Sequence, residues 1–177
     1  MTAAIPIRVC FVCLGNICRS PTAEGVMKAL LESAGLAARF FVDSAGTGAY
    51  HVGEPADRRS AAAARRRGVE LTSLARLFSP ADFDAFDYIV AMDSKNLAHL
   101  KRLARNPQDL AKLSLLRSFD AAAGASDVPD PYFEDNFDEV FTICQKGCEG
   151  LLAHIVERAA AGGDERAAAS GGREPKA

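Results

Sequence analysis

The 177-residue sequence has little charge of either sign to spare, no long apolar run and few cysteines and histidines. Its 21 basic and 23 acidic residues leave a net charge of −2. That balance argues against a general nucleic-acid binder, which carries a basic face and a high pI. No apolar run approaches the roughly 20 residues that cross a bilayer. The opening Met1-Thr2-Ala3-Ala4-Ile5-Pro6-Ile7-Arg8 lacks a charged segment followed by an apolar one, so no ordinary signal peptide is expected. Five cysteines are too few for a disulfide scaffold, and the count is odd. His51, His99 and His154 are scattered, so no zinc spacing appears and no metal or cofactor is expected. A metal-free cytoplasmic protein of one domain is the expectation, with few reactive side chains to work with.

What is present is an alternation of strand-like and helix-like segments. Ile7 to Val12 is a short apolar run of the kind buried on both faces of a sheet. Ser20-Pro21-Thr22-Ala23-Glu24 offers an N-cap, a first-turn proline and an early acid, and Gly35 ends the helix. Arg39 to Asp43 reads as a second strand, Pro55 to Arg67 as a helix closed by Gly68, and Asp87 to Met92 as a third strand. A helix follows from Ser94 to about Arg105 and stops at Asn106-Pro107; Lys112 to Leu116 is a fourth strand. Phe137 to about Arg158 is a long helix with Phe137, Val140, Phe141, Cys144, Cys148, Leu151, Leu152 and Ile155 on its inner face. The order predicts an α/β fold: a four-stranded parallel sheet flanked by helices on both faces, with the ligand beyond the strand carboxyl ends. The folded domain spans residues 5–158. Residues 159–177 hold eleven Ala or Gly and nothing apolar larger than Ala, a composition expected to stay disordered.

The loop after the first strand, Cys13-Leu14-Gly15-Asn16-Ile17-Cys18-Arg19-Ser20-Pro21, carries the chemistry. Backbone looping into a helix N-terminus turns several N–H groups into one small space, and Arg19 adds a planar five-donor cation. Together they form a phosphate-binding cradle. The same positive surroundings favour thiolate over thiol at Cys13. A thiolate on the floor of an anion cradle suits covalent phosphoryl transfer through a thiophosphate.

The nine-residue string resembles the signature of the low-molecular-weight protein tyrosine phosphatases. The likeness continues through Asp43-Ser44-Ala45-Gly46-Thr47, Tyr50-His51-Val52-Gly53, Phe86 to Asp93, and Asp130-Pro131-Tyr132, covering residues 6 to 157 in order. It implies Cys13 as nucleophile, Arg19 as phosphate clamp and Asp130 as general acid and then base. It further implies that Leu14, Gly15, Asn16, Ile17, Cys18 and Ser20 surround the phosphate, and that Tyr50 and Tyr132 wall a phosphotyrosine ring. By the same resemblance, Ser44 is expected to support the loop with Asn16 and Ser20, and Cys18 to trap an oxidised Cys13 as a disulfide. Asp93 braces the loop or caps the helix that follows it. One departure is Ser73, standing before Leu74-Ala75-Arg76 where the family often has a histidine bonded to the loop serine. The implied partners are phosphotyrosine-containing proteins, with no nucleic acid, no membrane and a monomeric chain.

Residues around these positions carry further expectations. Asp127, Asp130, Glu134, Asp135, Asp138 and Glu139 crowd one segment without a base, and mutual repulsion would help Asp130 keep its proton. The segment as a whole otherwise reads as a solvated acidic loop. Arg58-Arg59 and Arg65-Arg66-Arg67 read as a solvated helix face that could steer phosphoproteins. His51 reads as loop-ordering or solvent-facing. Cys10-Phe11-Val12-Cys13 is formally a redox spacing, but Cys10 lies inside a strand and reads as packing. Cys144 and Cys148 lack a third metal ligand and read as buried. Ile17 resembles tyrosine-directed relatives rather than phosphoarginine-directed ones, where threonine stands at this position. Arsenate reduction, the rival enzyme reading, needs exposed resolving cysteines. A silent phosphate-binding module would lack Cys13 or Asp130.

Overall fold

The computed structural model describes residues 4–123 and 126–162. Its elements follow one another as β1 (Ile7–Cys13), α1 (Arg19–Ser33), β2 (Phe40–Gly46), α2 (Arg58–Arg65), α3 (Asp82–Ala85), β3 (Tyr88–Ala91), α4 (Ser94–Leu103), α5 (Pro107–Ala111), β4 (Leu113–Leu115), α6 (Pro131–Glu134) and α7 (Phe137–Ala160). The four strands form one parallel sheet in the order β2-β1-β3-β4. The chain leaves β1 in one direction to make β2, then crosses back to make β3. The carboxyl ends of β1 and β3 therefore flank a switch point, where a crevice opens.

The apolar run of β1 serves two cores at once because successive side chains alternate. Val9, Phe11 and Cys13 face the core under α1 and α7, built with Met27, Leu31, Phe141, Cys144, Cys148 and Leu151. Cys10 and Val12 face the other, with Phe78, Phe83, Phe86 and Leu100. Helices on both faces leave no side of the central strand wet, as the expected fold class requires.

Several boundaries moved, each for a physical reason. The second strand runs on to Gly46 rather than stopping at Asp43. Its polar residues stay in the sheet because Arg76 pairs with Asp43 and Ser44 is hydrogen-bonded by Asn16. The first helix starts at Arg19 with Cys18 as its cap, since the Ser20 hydroxyl is turned onto Cys13 and is not free to cap. The helix expected from Pro55 is confined to α2: Pro55 bridges Leu74, and the Asp57 carboxylate accepts from the Arg59 N–H as N-cap. Asn106-Pro107 ends one helix and opens another, α5, with the Asn106 side chain as cap. The fourth strand is cut to three residues because Leu116 begins a 3-10 turn. On α7 the buried face includes Gly147, while Leu152 is only half-buried. That helix also runs past residue 158 to Ala160, and the rest of the expected disordered tail, from residue 163, lies outside the described residues.

Candidate active site

The turn from β1 to α1 is shaped by one left-handed residue, Asn16, at φ 56°. Asparagine tolerates this conformation better than most residues, and its amide is then spent on holding the loop. Asn16 Nδ2 donates to Ser20 Oγ at 2.8 Å and to Ser44 Oγ at 2.9 Å, while Oδ1 accepts from the Arg76 N–H at 3.0 Å. Ser44 in turn donates to the buried Glu24 carboxylate, whose other oxygen takes the Lys28 ammonium at 2.7 Å. The relay ends at Ser20 Oγ, 3.0 Å from Cys13 Sγ.

The loop's carbonyls face outward. Those of Cys13, Leu14 and Ile17 accept from Thr47, Gly48 and Asp57. Among the described residues, no N–H of residues 14–18 donates to a protein acceptor. Unspent N–H donors in a loop that leads into a helix start are what an anion cradle requires.

Arg19 is 96% buried as a side chain, and two carboxylates and a carbonyl face it. Nη1 donates to Asp93 Oδ2 at 2.6 Å and to the Val128 carbonyl at 3.1 Å, and Nη2 lies 3.5 Å from Asp130 Oδ2. Burial works against the charge on this guanidinium, but the Cys13 sulfur and the Asp93 carboxylate outweigh it and raise it above the ordinary arginine value. Asp93 both braces Arg19 and caps α4 in a reciprocal box with Asn96. Asp130 Oδ1 accepts from the Tyr132 N–H at 3.1 Å, which turns the carboxylate toward the loop.

A cleft of about 320 Å³ opens above the sulfur, lined by Cys13, Leu14, Gly15, Ile17, Cys18, Arg19, Tyr50, His51, Asp130, Tyr132 and Phe133. The structure thus brings together the expected catalytic groups and both tyrosine walls. The side chains of Asn16, Ser20, Ser44 and Asp93 stand behind the cradle and hold it. Tyr50 is 76% exposed, with its ring close against Gly48, where an added Cβ would lie 2.5 Å from the ring. Tyr132 meets Phe133 edge-on at 5.1 Å between ring centres, and its ring centre lies 6.5 Å from that of His51.

The structure also gives partners to most of the other residues singled out in the sequence. Ser73 makes no hydrogen bond to the loop among the described residues; the backbone N–H of Arg76, three residues on, holds Asn16 instead. The acidic segment does not concentrate its charge. Asp127 accepts from Ser94, Asp138 from Arg66, Glu139 from Asn136, and Asp130 faces Arg19. The basic helix face is solvent-exposed as expected, and its side chains pair along the surface: Arg59 with Asp57, Arg65 with Glu70 and Arg66 with Asp138. His51 orders its loop through a 2.8 Å contact with Glu54, and its ring also forms part of the cleft wall. Glu24 and Arg76 were missed altogether. Glu24 looks like an ordinary early-helix acid, and a 4% exposure is visible only once the helix is packed.

The remaining cysteines are packing residues. Burial pushes the thiols of Cys10 and Cys148 well up and that of Cys144 to about 12. Cys144 and Cys148 donate to the Arg19 and Ala23 carbonyls of α1. Cys18 is also pushed up to about 12 by burial, against the opposing pull of the Ser60 hydroxyl. Among the described residues, no group of three or more His, Cys, Asp or Glu could hold a metal ion.

This geometry has clear counterparts. The family model described as "Low molecular weight phosphotyrosine protein phosphatase" matches residues 8–161. A low molecular weight protein-tyrosine-phosphatase of Streptomyces coelicolor is 47% identical over 155 residues, 85% of this chain and 94% of that one. The crystal structure of YfkJ from Bacillus subtilis superposes with a TM-score of 0.83 at 40% identity, covering 89% of this chain and 99% of that one. A Drosophila arginine phosphatase superposes at 0.78 with 34% identity, over 84% of this chain and 97% of that one. A match running from β1 to the end of α7, with the loop, the clamp and the acid-bearing turn all inside it, places this chain in the low molecular weight phosphotyrosine protein phosphatase family.

Proposed function

We propose that this protein hydrolyses phosphotyrosine in proteins, with Cys13 as nucleophile, Arg19 as phosphate clamp and Asp130 as general acid and base. The observation that carries the reading is the meeting of the Cys13 sulfur and the Arg19–Asp130 pair in one cleft, beside a loop whose N–H groups at residues 14–18 are not spent on protein acceptors among the described residues. The Cys13 thiolate attacks phosphorus, forming a sulfur–phosphorus bond as the bond to the tyrosyl oxygen breaks. Asp130 gives its proton to the departing phenolate, then takes one from the water that cleaves the thiophosphate. The cradle N–H groups and Arg19 hold the equatorial oxygens through both steps, where charge spreads. Ser20 donates to the sulfur, and Asn16, Ser44 and Glu24 keep Ser20 in place.

The cradle lies at the bottom of a cleft with aromatic walls, which favours a long aryl phosphate over a short phosphoserine. Ile17 supports tyrosine over arginine phosphate. Cys18, kept neutral by burial, stays out of phosphoryl transfer. When peroxide converts Cys13 to a sulfenic acid, the Cys18 sulfur displaces its oxygen as water and closes a disulfide. Every group named comes from one chain, so the reaction needs no second copy. A nucleophilic thiol works in a reducing compartment, consistent with the cytoplasm.

The test is metal-free turnover of an aryl phosphate, a phosphotyrosine peptide, a phosphoserine peptide and a phosphoarginine peptide. Turnover of the first two, abolished by Cys13→Ser, is expected. Preference for phosphoarginine would move the substrate assignment to that class, and turnover surviving Cys13→Ser would remove the mechanism.

A further inference from the structure

The segment that carries Asp130 has few ties to the rest of the molecule. Within residues 129–136, Asp130 and Tyr132 bond to each other, Asp135 donates to Pro131, and Asn136 bonds within the start of α7. The polar contact reaching across the cleft is Asp130 to Arg19, at 3.5 Å. Its own segment and the group it must work beside are a loose hold for a general acid, because small displacements of a reacting group cost rate steeply.

One residue spans the gap. The Arg59 guanidinium donates to both Asp57 oxygens at 3.1 Å, and Asp57 donates its N–H to the Ile17 carbonyl of the phosphate loop at 2.8 Å. The same guanidinium lies 4.6 Å from the Phe137 ring centre and 5.4 Å from that of Tyr132. Tyr132 and Phe137 bracket the turn that follows Asp130. A continuous path thus runs from the phosphate loop through Asp57 and Arg59 to the acid segment. A guanidinium suits the place, because it donates in its plane while its faces meet aromatic rings, and an ammonium cannot do both.

We infer that Arg59 is a positioning residue that ties the acid segment to the phosphate loop and so sets the reach of Asp130. The inference rests on the proposed function, and it assigns to α2 a part in proton transfer.

The experiment measures kcat and KM for phenyl phosphate and p-nitrophenyl phosphate in the wild type, Arg59→Ala, Arg59→Lys, Asp130→Ala and the Arg59→Ala/Asp130→Ala double variant. Unfolding midpoints are recorded alongside. Arg59→Ala is expected to lower kcat/KM about tenfold on phenyl phosphate, whose leaving group needs the proton, and less than about twofold on p-nitrophenyl phosphate. Arg59→Lys should recover only part of the loss. In the Asp130→Ala background, Arg59→Ala should cost nothing further on phenyl phosphate. Equal losses on both substrates, or a further loss in the double variant, would overturn the inference, since support of the fold or of substrate binding is indifferent to the acid. If Asp130→Ala itself shows no dependence on leaving group, the acid assignment fails first, and that result is distinct from a failure of Arg59 alone. Should Arg59→Ala not fold, Arg59→Gln carries the same comparison.

Discussion

Arg19 Nη1 and Asp93 Oδ2 lie 2.6 Å apart, and the other oxygen of that carboxylate accepts the Asn96 N–H at 2.7 Å. One side chain therefore starts α4 and aims the phosphate clamp. Its two roles are separable, because asparagine caps helices about as well as aspartate but brings no charge to Arg19.

Asp93→Asn should accordingly leave the unfolding midpoint nearly unchanged while lowering kcat on an aryl phosphate by about tenfold, through loss of a fixed orientation for Arg19. Asp93→Ala should lose the same activity and also about 1 kcal/mol of stability with the cap. Steady-state kinetics and thermal unfolding check both. Full activity in Asp93→Asn would show that the Val128 carbonyl and packing suffice to aim Arg19.

Four buried thiols predict how stability responds to alkali. Cys10, Cys18, Cys144 and Cys148 all titrate above the ordinary thiol value of 9.0 in the folded state, mainly because burial disfavours the thiolate. Above about pH 9 the unfolded chain loses these protons while the native one keeps them. The unfolded state then binds fewer protons, so stability falls as pH rises, for Cys18 and Cys144 over the window from 9 to about 12. Each thiol adds at most about 1.4 kcal/mol per pH unit to the fall. Urea unfolding from pH 8 to 10.5 should show the decline, and Cys148→Ala should make it shallower. An identical slope in that variant would contradict the assignment.

Gly150 sets how closely α7 approaches the 3-10 turn at residues 116–119. A Cβ there would lie 1.9 Å from the Phe119 carbonyl oxygen, a backbone atom that no rotamer change can move. Gly150→Ala is expected to cost about 3 kcal/mol or more. Gly53→Ala, with nothing near the new methyl and only φ 85° to oppose it, should cost roughly 1 kcal/mol. Denaturant midpoints of the two variants rank them, and equal midpoints would refute the close approach.

Much of the site could be read directly from the sequence because its chemistry is contiguous. Cys13, the loop and Arg19 follow one another without interruption, and an apolar strand before them and a helix after them place the cradle. Asp93 and Asp130 were also legible, through segments matching the family. What could not be read depends on residues far apart in the chain. Arg76 reaches Asn16 across 60 positions, and Arg59 reaches Tyr132 and Phe137 across more than 70. Neither leaves a local pattern, and Arg59 sits in a run that looks like a solvated face. The partners of the acidic segment were hidden for the same reason, since the fold brings Asp127 to Ser94 and Asp138 to Arg66 across 33 and 72 positions. Local rules also misplaced α5, since a proline that ends one helix is equally suited to the first turn of the next.

Removing the acid should divide substrates by leaving group. Asp130→Ala is expected to lower kcat/KM, which reports only the steps up to departure of the leaving group, by about 10² or more on phenyl phosphate and much less on p-nitrophenyl phosphate, since only the first needs protonation to depart. Equal losses on the two would take proton transfer away from Asp130.

The central claim is that phosphoryl transfer passes through the Cys13 sulfur. Rapid acid quench of Asp130→Ala during turnover of p-nitrophenyl phosphate, followed by peptide mass spectrometry, tests it most directly. Asp130→Ala also slows hydrolysis of the intermediate, so the account predicts one phosphoryl group on the peptide containing Cys13, lost on mild hydrolysis and absent in Cys13→Ser/Asp130→Ala. Sustained turnover with the phosphoryl group on another side chain would contradict it.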